Sequence, residues 1–210
     1  MSPSTDVADR EWTVTLDGKP WASAARYEVE NPTTGRPLTS APDLSEEEVG
    51  RAVAAAQAAQ PAWAATNPQK RARVMMRFLE LIRAENDSLA ELLASEHGKT
   101  VPDAKGDIQR GVEVVEFACG IPHLLKGEYS DSVSSGIDVY SMRQPLGVCA
   151  GITPFNFPAM VPLWMLPMAI ATGNTFVLKP SEKDPSCALD RKSTRLNSSH
   201  TDISRMPSSA

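Results

Sequence analysis

At 210 residues, 41% hydrophobic and 22% charged, the chain has the composition of one or two globular domains and no mark of disorder. Its formal net charge of -5 argues against a nucleic-acid partner, which would need clustered lysine and arginine, and no apolar run approaches the roughly 20 residues that span a bilayer. Residues 1–10 are polar and acidic, without the basic start and apolar stretch of a secretory leader, so the expected location is the cytoplasm.

The first pattern along the chain is the alternating run WTVTLDGKPW at residues 12–21, whose central Asp17-Gly18 is a strong turn signal and predicts a β-hairpin. A second extended piece at 27–30 runs into Asn31-Pro32 and Gly35, which mark a loop. Ser45 followed by Glu48 forms a capping box, and the alanine-rich residues 49–59 predict a helix that Pro61 stops. Asn67 and Pro68 then supply a cap and a first-turn proline for one long amphipathic helix. In it Met75, Phe78, Leu79, Ile82, Leu89 and Leu93 recur at helical spacing as far as Gly98. Residues 103–126 repeat the pattern through Ile108, Val112, Val115 and Phe117, to pack on the helix before, with Pro122 bending or interrupting the run. The polar stretch 130–143, with Gly136 leading into the β-rich 137–142, predicts an exposed hairpin or arm of the kind that binds another subunit.

From Leu146 the character changes. Residues 148–153 are a short apolar run ending in Pro154, Pro158 opens a largely apolar segment that reaches Gly173, and 175–178 is a second strand. Strand, helix and strand in this order predict a parallel βαβ unit, whose ligands sit beyond the carboxyl ends of the strands, where Thr153 and Lys179 fall. The apolar run 159–171 is too short for a membrane span and holds Pro162 and Pro167, so it reads as a buried, kinked helix. The expected organisation is a leading hairpin and helical part at 1–127, an arm at 128–145, and the start of a parallel core at 146–189. The remainder, DRKSTRLNSSHTDISRMPSSA at 190–210, is rich in serine and basic residues and has no periodicity. It resembles the translated read-through of a sequencing-library adapter and is set aside as a non-native tail. Removing its four basic and two acidic residues from totals of 21 and 26 leaves 17 and 24, a more acidic balance of -7.

Several residues suit chemistry. Asn156 lies in a loop just past a strand end, between two aromatics and two prolines that fix its backbone. Its amide is a neutral donor suited to an oxygen that gains negative charge when a nucleophile adds to an aldehyde, where one pre-aimed N–H is worth about 3 kcal/mol. The same residue type also caps loops, and local sequence does not separate the two roles. Lys179 and Glu182, three apart with Pro180 between them, can offer one cation and one carboxylate to vicinal hydroxyls, although a solvated charged turn has the same composition. Arg110 can grip a carboxylate through a two-pronged guanidinium or pair with Asp107 or Glu113 on its own helix. His97 and His123 have no metal-like or acid-base pattern, and His97 falls at a helix end that favours a cation. Cys119, Cys149 and Cys187 stand far apart, which gives neither a zinc site nor a disulfide framework and leaves buried thiols as the expectation.

GVCAGITPFNFP followed at fixed distance by GNTFVLKPSE resembles the aldehyde dehydrogenase superfamily, and two separated motifs agreeing in order and spacing make the likeness specific. With EHGKT and the Arg110 helix upstream, the chain from about residue 12 to 189 looks most like the CoA-acylating methylmalonate-semialdehyde branch. The resemblance implies an α/β, aldehyde dehydrogenase-like fold, truncated, with a Rossmann-like NAD-binding domain and a β-hairpin oligomerisation arm in a homo-oligomer. It makes Asn156 the catalytic oxyanion donor and gives Lys179 and Glu182 the adenosine ribose of NAD. It also sets Thr153, Phe155 and Lys183 about the dinucleotide and has Arg110 hold the carboxylate of a small semialdehyde. No GxGxxG fingerprint is present, so the usual glycine-loop argument for NAD does not apply, and the superfamily manages without it. The implied reaction is thiolate attack on malonate or methylmalonate semialdehyde, hydride transfer to NAD, decarboxylation, and release of the acyl group to coenzyme A. The family keeps its cysteine, its general-base glutamate and a second substrate-binding arginine downstream of KPSE, beyond this chain. Cys187 is too close to Lys179 to match and the other two cysteines precede it, so the chain alone is expected to be inactive. Two other readings stay open: a non-acylating enzyme that hydrolyses its thioester, against which Arg110 and PFNFP lean, and a non-catalytic interaction module.

Overall fold

The computed structural model describes residues 12–16 and 19–189; the Asp17-Gly18 turn, residues 1–11 and the tail 190–210 lie outside the described residues. The flanking strands of the expected hairpin are present, β1 (Val14–Leu16) pairing antiparallel with β2 (Lys19–Trp21). A second antiparallel ribbon joins β3 (Arg26–Asn31) to β4 (Arg36–Pro42) through the predicted loop. There Asn31 Oδ1 accepts from the Thr33 and Thr34 N–H groups (2.9 and 3.2 Å) and Gly35 takes φ +63°. The sequence reading assigns no element to 36–42, a segment that holds Pro37 and Pro42. A two-stranded ribbon tolerates them, since each strand has an unpaired edge and the register shifts between Val29 and Glu30.

α1 (Glu46–Ala64) begins where the capping box predicts, with Ser45 Oγ accepting from the Glu48 N–H (3.3 Å) and Glu48 Oε2 from the Ser45 N–H (2.8 Å). Glu48 also accepts from Trp21 Nε1–H (2.8 Å) and the Ser23 hydroxyl (3.1 Å), which ties the hairpin to the helix start. The Trp21 bond first, then the Ser45 backbone, hold its carboxyl down at about 2. Pro61 does not end this helix, contrary to expectation. The last turn persists because Trp63 is buried and donates Nε1–H to the Ile170 carbonyl (2.8 Å), which outweighs the one helical bond that proline removes.

Residues 67–98 form two helices rather than the single one expected. α2 (Pro68–Ala84) and α3 (Asn86–His97) meet at Glu85, where φ -101° and ψ 10° leave the helical region. Asn86, Asp87 and Ser88 favour a fresh start there, the Ser88 hydroxyl donating to the Glu85 carbonyl at 3.0 Å. The break lets both helices turn apolar faces toward α4 (Val101–Cys119). Along α4 the predicted Ile108, Val112 and Val115 are buried, but Phe117 is 57% exposed, because two residues past Val115 is the opposite side of a helix. Pro122 interrupts the run and sits in the first turn of α5 (Ile121–Leu124).

The predicted arm is a hairpin of β5 (Tyr129–Ser134) and β6 (Ile137–Tyr140), exposed along its whole length. The βαβ unit follows: β7 (Val148–Ile152), α6 (Met160–Ala171) and β8 (Thr175–Lys179), with β7 and β8 parallel from Val148↔Thr175 to Ile152↔Lys179. One turn of helix, α7 (Ser186–Leu189), closes the described chain. α6 packs chiefly on α4, not α4 on the preceding helix alone as expected, and Gly111 permits the approach, since a Cβ there would meet Leu163 Cδ1 at 2.6 Å. The far end of α6 is held by Arg71, 4% exposed, whose guanidinium donates to the Ala171 carbonyl (3.0 Å) and to the Ala64 and Thr66 carbonyls. Ala171 and Ala64 carry the last carbonyls of α6 and α1, where helix dipoles favour a cation, and Thr66 lies just beyond α1. Asn174 completes the clasp: Oδ1 accepts from the Leu146 and Gly147 N–H groups (2.6 and 2.9 Å) and Nδ2 donates to the Ala169 carbonyl (3.2 Å). Among the described residues no helix is long and apolar enough to cross a membrane.

Candidate active site

Parallel register sets Ile152 and Lys179, the last residues of β7 and β8, side by side, so the loops at 153–159 and 180–185 leave the sheet at one edge. Thr153, 5% exposed, extends the ladder by donating its N–H to the Lys179 carbonyl at 3.1 Å. Lys183 Nζ stands 4.4 Å from the centroid of the Phe155 ring, a cation–π contact between the two loops. Lys179 Nζ and Glu182 Oε2 are 2.7 Å apart with both side chains more than half exposed, and the hydrogen bond from Lys179 keeps the Glu182 carboxyl below its usual range. At that exposure the pair contributes little to stability. What it provides is a donor and an acceptor held side by side at the surface. The structure thus brings Thr153, Phe155, Lys179, Glu182 and Lys183 together on one edge.

Asn156 lies in the first of these loops and is exposed. Its side-chain amide makes no hydrogen bond among the described residues, so it does not cap the loop. Its backbone carbonyl instead accepts from Lys99 Nζ at 3.3 Å. The same ammonium pairs with Asp107 Oδ2 at 3.0 Å and stands 5.1 Å from the Phe157 ring centroid. Asp107, 1% exposed, uses its other oxygen to accept the Met160 N–H (2.8 Å) at the start of α6, whose own cap residue Ala159 supplies no side-chain bond. The pairing that sequence allowed between Arg110 and Asp107 is therefore not made. Arg110 is exposed on α4 one turn beyond Asp107 and has no ion-pair partner among the described residues, nor does any contact there link it to the strand edge. Sequence offered Asp107 only as a partner for Arg110 and did not single out Lys99. The available signal was an aspartate on the buried stripe Ala104, Ile108, Gly111, Val112 of α4, which needs a partner to stay there.

Beneath the second loop lies a buried acidic group. Glu96, 2% exposed at the end of α3, accepts from the Ser186 hydroxyl (2.6 Å) and N–H (2.9 Å), yet burial pushes its carboxyl up to about 7. Asp184, 3% exposed, is pushed up to about 8 by burial and then by Glu96. His97 lies in the last turn of α3 as expected, and burial, then the adjacent Lys99, push its imidazole below the usual value. Cys119, Cys149 and Cys187 are only partly buried, and burial raises the Cys119 thiol further from the nucleophilic thiolate.

Residues 21–191 match the Aldehyde dehydrogenase family. The chain is 54% identical over 162 residues to malonate-semialdehyde dehydrogenase of Pseudomonas aeruginosa, covering 77% of this chain and 33% of that protein. It is 53% identical over 167 residues to the acylating, mitochondrial methylmalonate-semialdehyde dehydrogenase of Arabidopsis thaliana, covering 80% of this chain and 28% of that protein. Among solved structures it is similar to one described as a methylmalonate-semialdehyde dehydrogenase from Sinorhizobium meliloti complexed with NAD, with a TM-score of 0.82 and 51% identity over 86% of this chain and 38% of the other. The chain therefore spans about a third of the length of these relatives. Its fold is that of the corresponding part of these enzymes, and it belongs to the aldehyde dehydrogenase family.

Proposed function

We propose that the chain is part of an NAD-dependent, CoA-acylating methylmalonate- or malonate-semialdehyde dehydrogenase of the cytoplasm, and that it supplies the oxyanion donor and one wall of the cofactor cleft. The observation that carries this is the convergence of the 153–159 and 180–185 loops at the carboxyl edge of a parallel strand pair. It occurs in a chain about half identical to enzymes named for that substrate class. The edge fits a dinucleotide: Lys179 donates and Glu182 accepts, as vicinal ribose hydroxyls require, with the Phe155 ring and the Thr153 turn alongside. NAD, when bound, accepts the hydride from the substrate carbon. Asn156 would donate its free amide N–H to the aldehyde oxygen as that oxygen gains charge, and Arg110 would hold the substrate carboxylate. The thiolate, the general base and the coenzyme A site belong to parts of the enzyme outside this chain.

We assign the β5–β6 hairpin to subunit contact in a homo-oligomer. Tyr129, Val133, Ile137, Val139 and Tyr140 are 52–65% exposed on it, and an isolated two-stranded ribbon is marginal in water without another surface to cover it. The test of the activity is product analysis of the uninterrupted gene product with methylmalonate semialdehyde and NAD, with and without coenzyme A. Acyl-CoA formed only with coenzyme A is expected; free acid formed equally in both would favour the non-acylating reading. The 210-residue chain by itself is expected to give no aldehyde-dependent NADH.

A further inference from the structure

We infer that Lys99 is a positioning residue for the Asn156 amide, acting through the backbone carbonyl of Asn156 and braced by Asp107. The inference rests on the oxyanion role proposed for Asn156. The loop that carries Asn156 is fixed at three points. At its start the Thr153 N–H bonds the Lys179 carbonyl, and at its end the Met160 N–H bonds Asp107 Oδ1 at 2.8 Å. Between them the only side chain that reaches the Asn156 backbone among the described residues is Lys99, at 3.3 Å.

A carbonyl held in one direction limits the backbone torsions at Asn156 and so limits where its side chain can point. An oxyanion donor needs placement within about 0.5 Å of the productive position. Lys99 can serve because it is itself held: its side chain is 12% exposed, Asp107 fixes its charge at 3.0 Å, and the Phe157 ring packs against it. A pair serving stability alone would need only the Lys99–Asp107 contact. The contact to Asn156 lies 57 residues away in sequence, on the one loop that carries the candidate donor.

The test is a double-mutant cycle in the full-length enzyme, with hydrogen exchange as a second readout. Asn156→Ala is expected to lower kcat by at least a hundredfold. Lys99→Met should lower kcat at least tenfold with KM for NAD within twofold, Lys99→Arg should restore most of the loss, and Lys99→Met added to Asn156→Ala should change kcat no further. Amide exchange in residues 153–159 should quicken at least tenfold in Lys99→Met and stay near the parent rate in Lys99→Arg, with α2 unchanged. Lys99→Gln is carried in parallel so that a folded neutral variant is in hand. Wild-type kcat in either folded neutral variant, or losses that add to those of Asn156→Ala, would overturn the positioning role while leaving Asn156 as the donor. Full kcat in Asn156→Ala would instead remove the oxyanion reading, and this inference with it.

Discussion

The two ends of the βαβ unit are built to opposite rules. At the amino-terminal end of the strands every strong polar group is answered: Arg71 by carbonyls of two helices, Asn174 by four bonds, and Trp63 by Ile170. At the carboxyl end Lys179 and Glu182 pair with each other in open solvent, and the Asn156 amide makes no hydrogen bond among the described residues. Satisfied groups stabilise a fold and leave nothing for a ligand; unsatisfied groups at a rigid edge do the reverse.

Substitutions can break this contrast from the closed side. Asp107→Ala strands the Lys99 ammonium and uncaps α6, and should cost about 3–5 kcal/mol, measured by chemical denaturation. Titration gives the next effect. Glu96 and Asp184 sit at about 7 and about 8 when folded, above ordinary carboxyl values, so the folded chain holds protons that the unfolded chain releases. Their contribution is present at low pH and is lost as pH rises, so stability should fall between roughly pH 5 and pH 8 as the two carboxyls are forced to ionise within the fold. Glu48 has the opposite sign: its carboxyl lies at about 2 when folded, and its contribution is lost as pH falls toward that value. Melting followed across pH should therefore peak on the acid side of neutrality, and Glu96→Gln should flatten the alkaline limb. Gly173→Ala is smaller, about 1–2 kcal/mol, because Gly173 has φ +97° and a Cβ would meet Pro145 Cγ at 2.8 Å.

On the open side the sign of the comparison reverses. Lys179→Ala and Glu182→Ala should change stability by less than about 0.5 kcal/mol, yet each should weaken NAD binding by the full-length enzyme, read by nicotinamide-dependent fluorescence quenching. Unchanged NAD affinity in both variants would erase the distinction drawn between the two ends.

Much of this was legible because local signals agreed with the fold. Ser45 and Glu48 fix the start of α1, Asn67 and Pro68 that of α2, and the two apolar runs around Pro158–Gly173 give the parallel unit. Two departures come from tertiary contacts that override or escape local preference: Trp63 carries α1 past Pro61, and ribbon pairing makes a strand of 36–42 despite its prolines. The break at Glu85 is different, a local start signal in Asn86, Asp87 and Ser88 that the continuous apolar spacing masked. The candidate edge was found because strand ends are readable. Lys99 was not, because a long side chain that reaches 57 residues onward leaves no periodic trace.

Consider finally that α6 is clasped at both extremities, by Asp107 where it begins and by Arg71, Trp63 and Asn174 where it finishes. A strut fixed in this way cannot slide or tilt when something docks beyond the strands. The loops that carry Asn156 and Glu182 therefore spring from a support anchored at both extremities, and a molecule docking beyond the strands meets groups whose footing is set before it arrives.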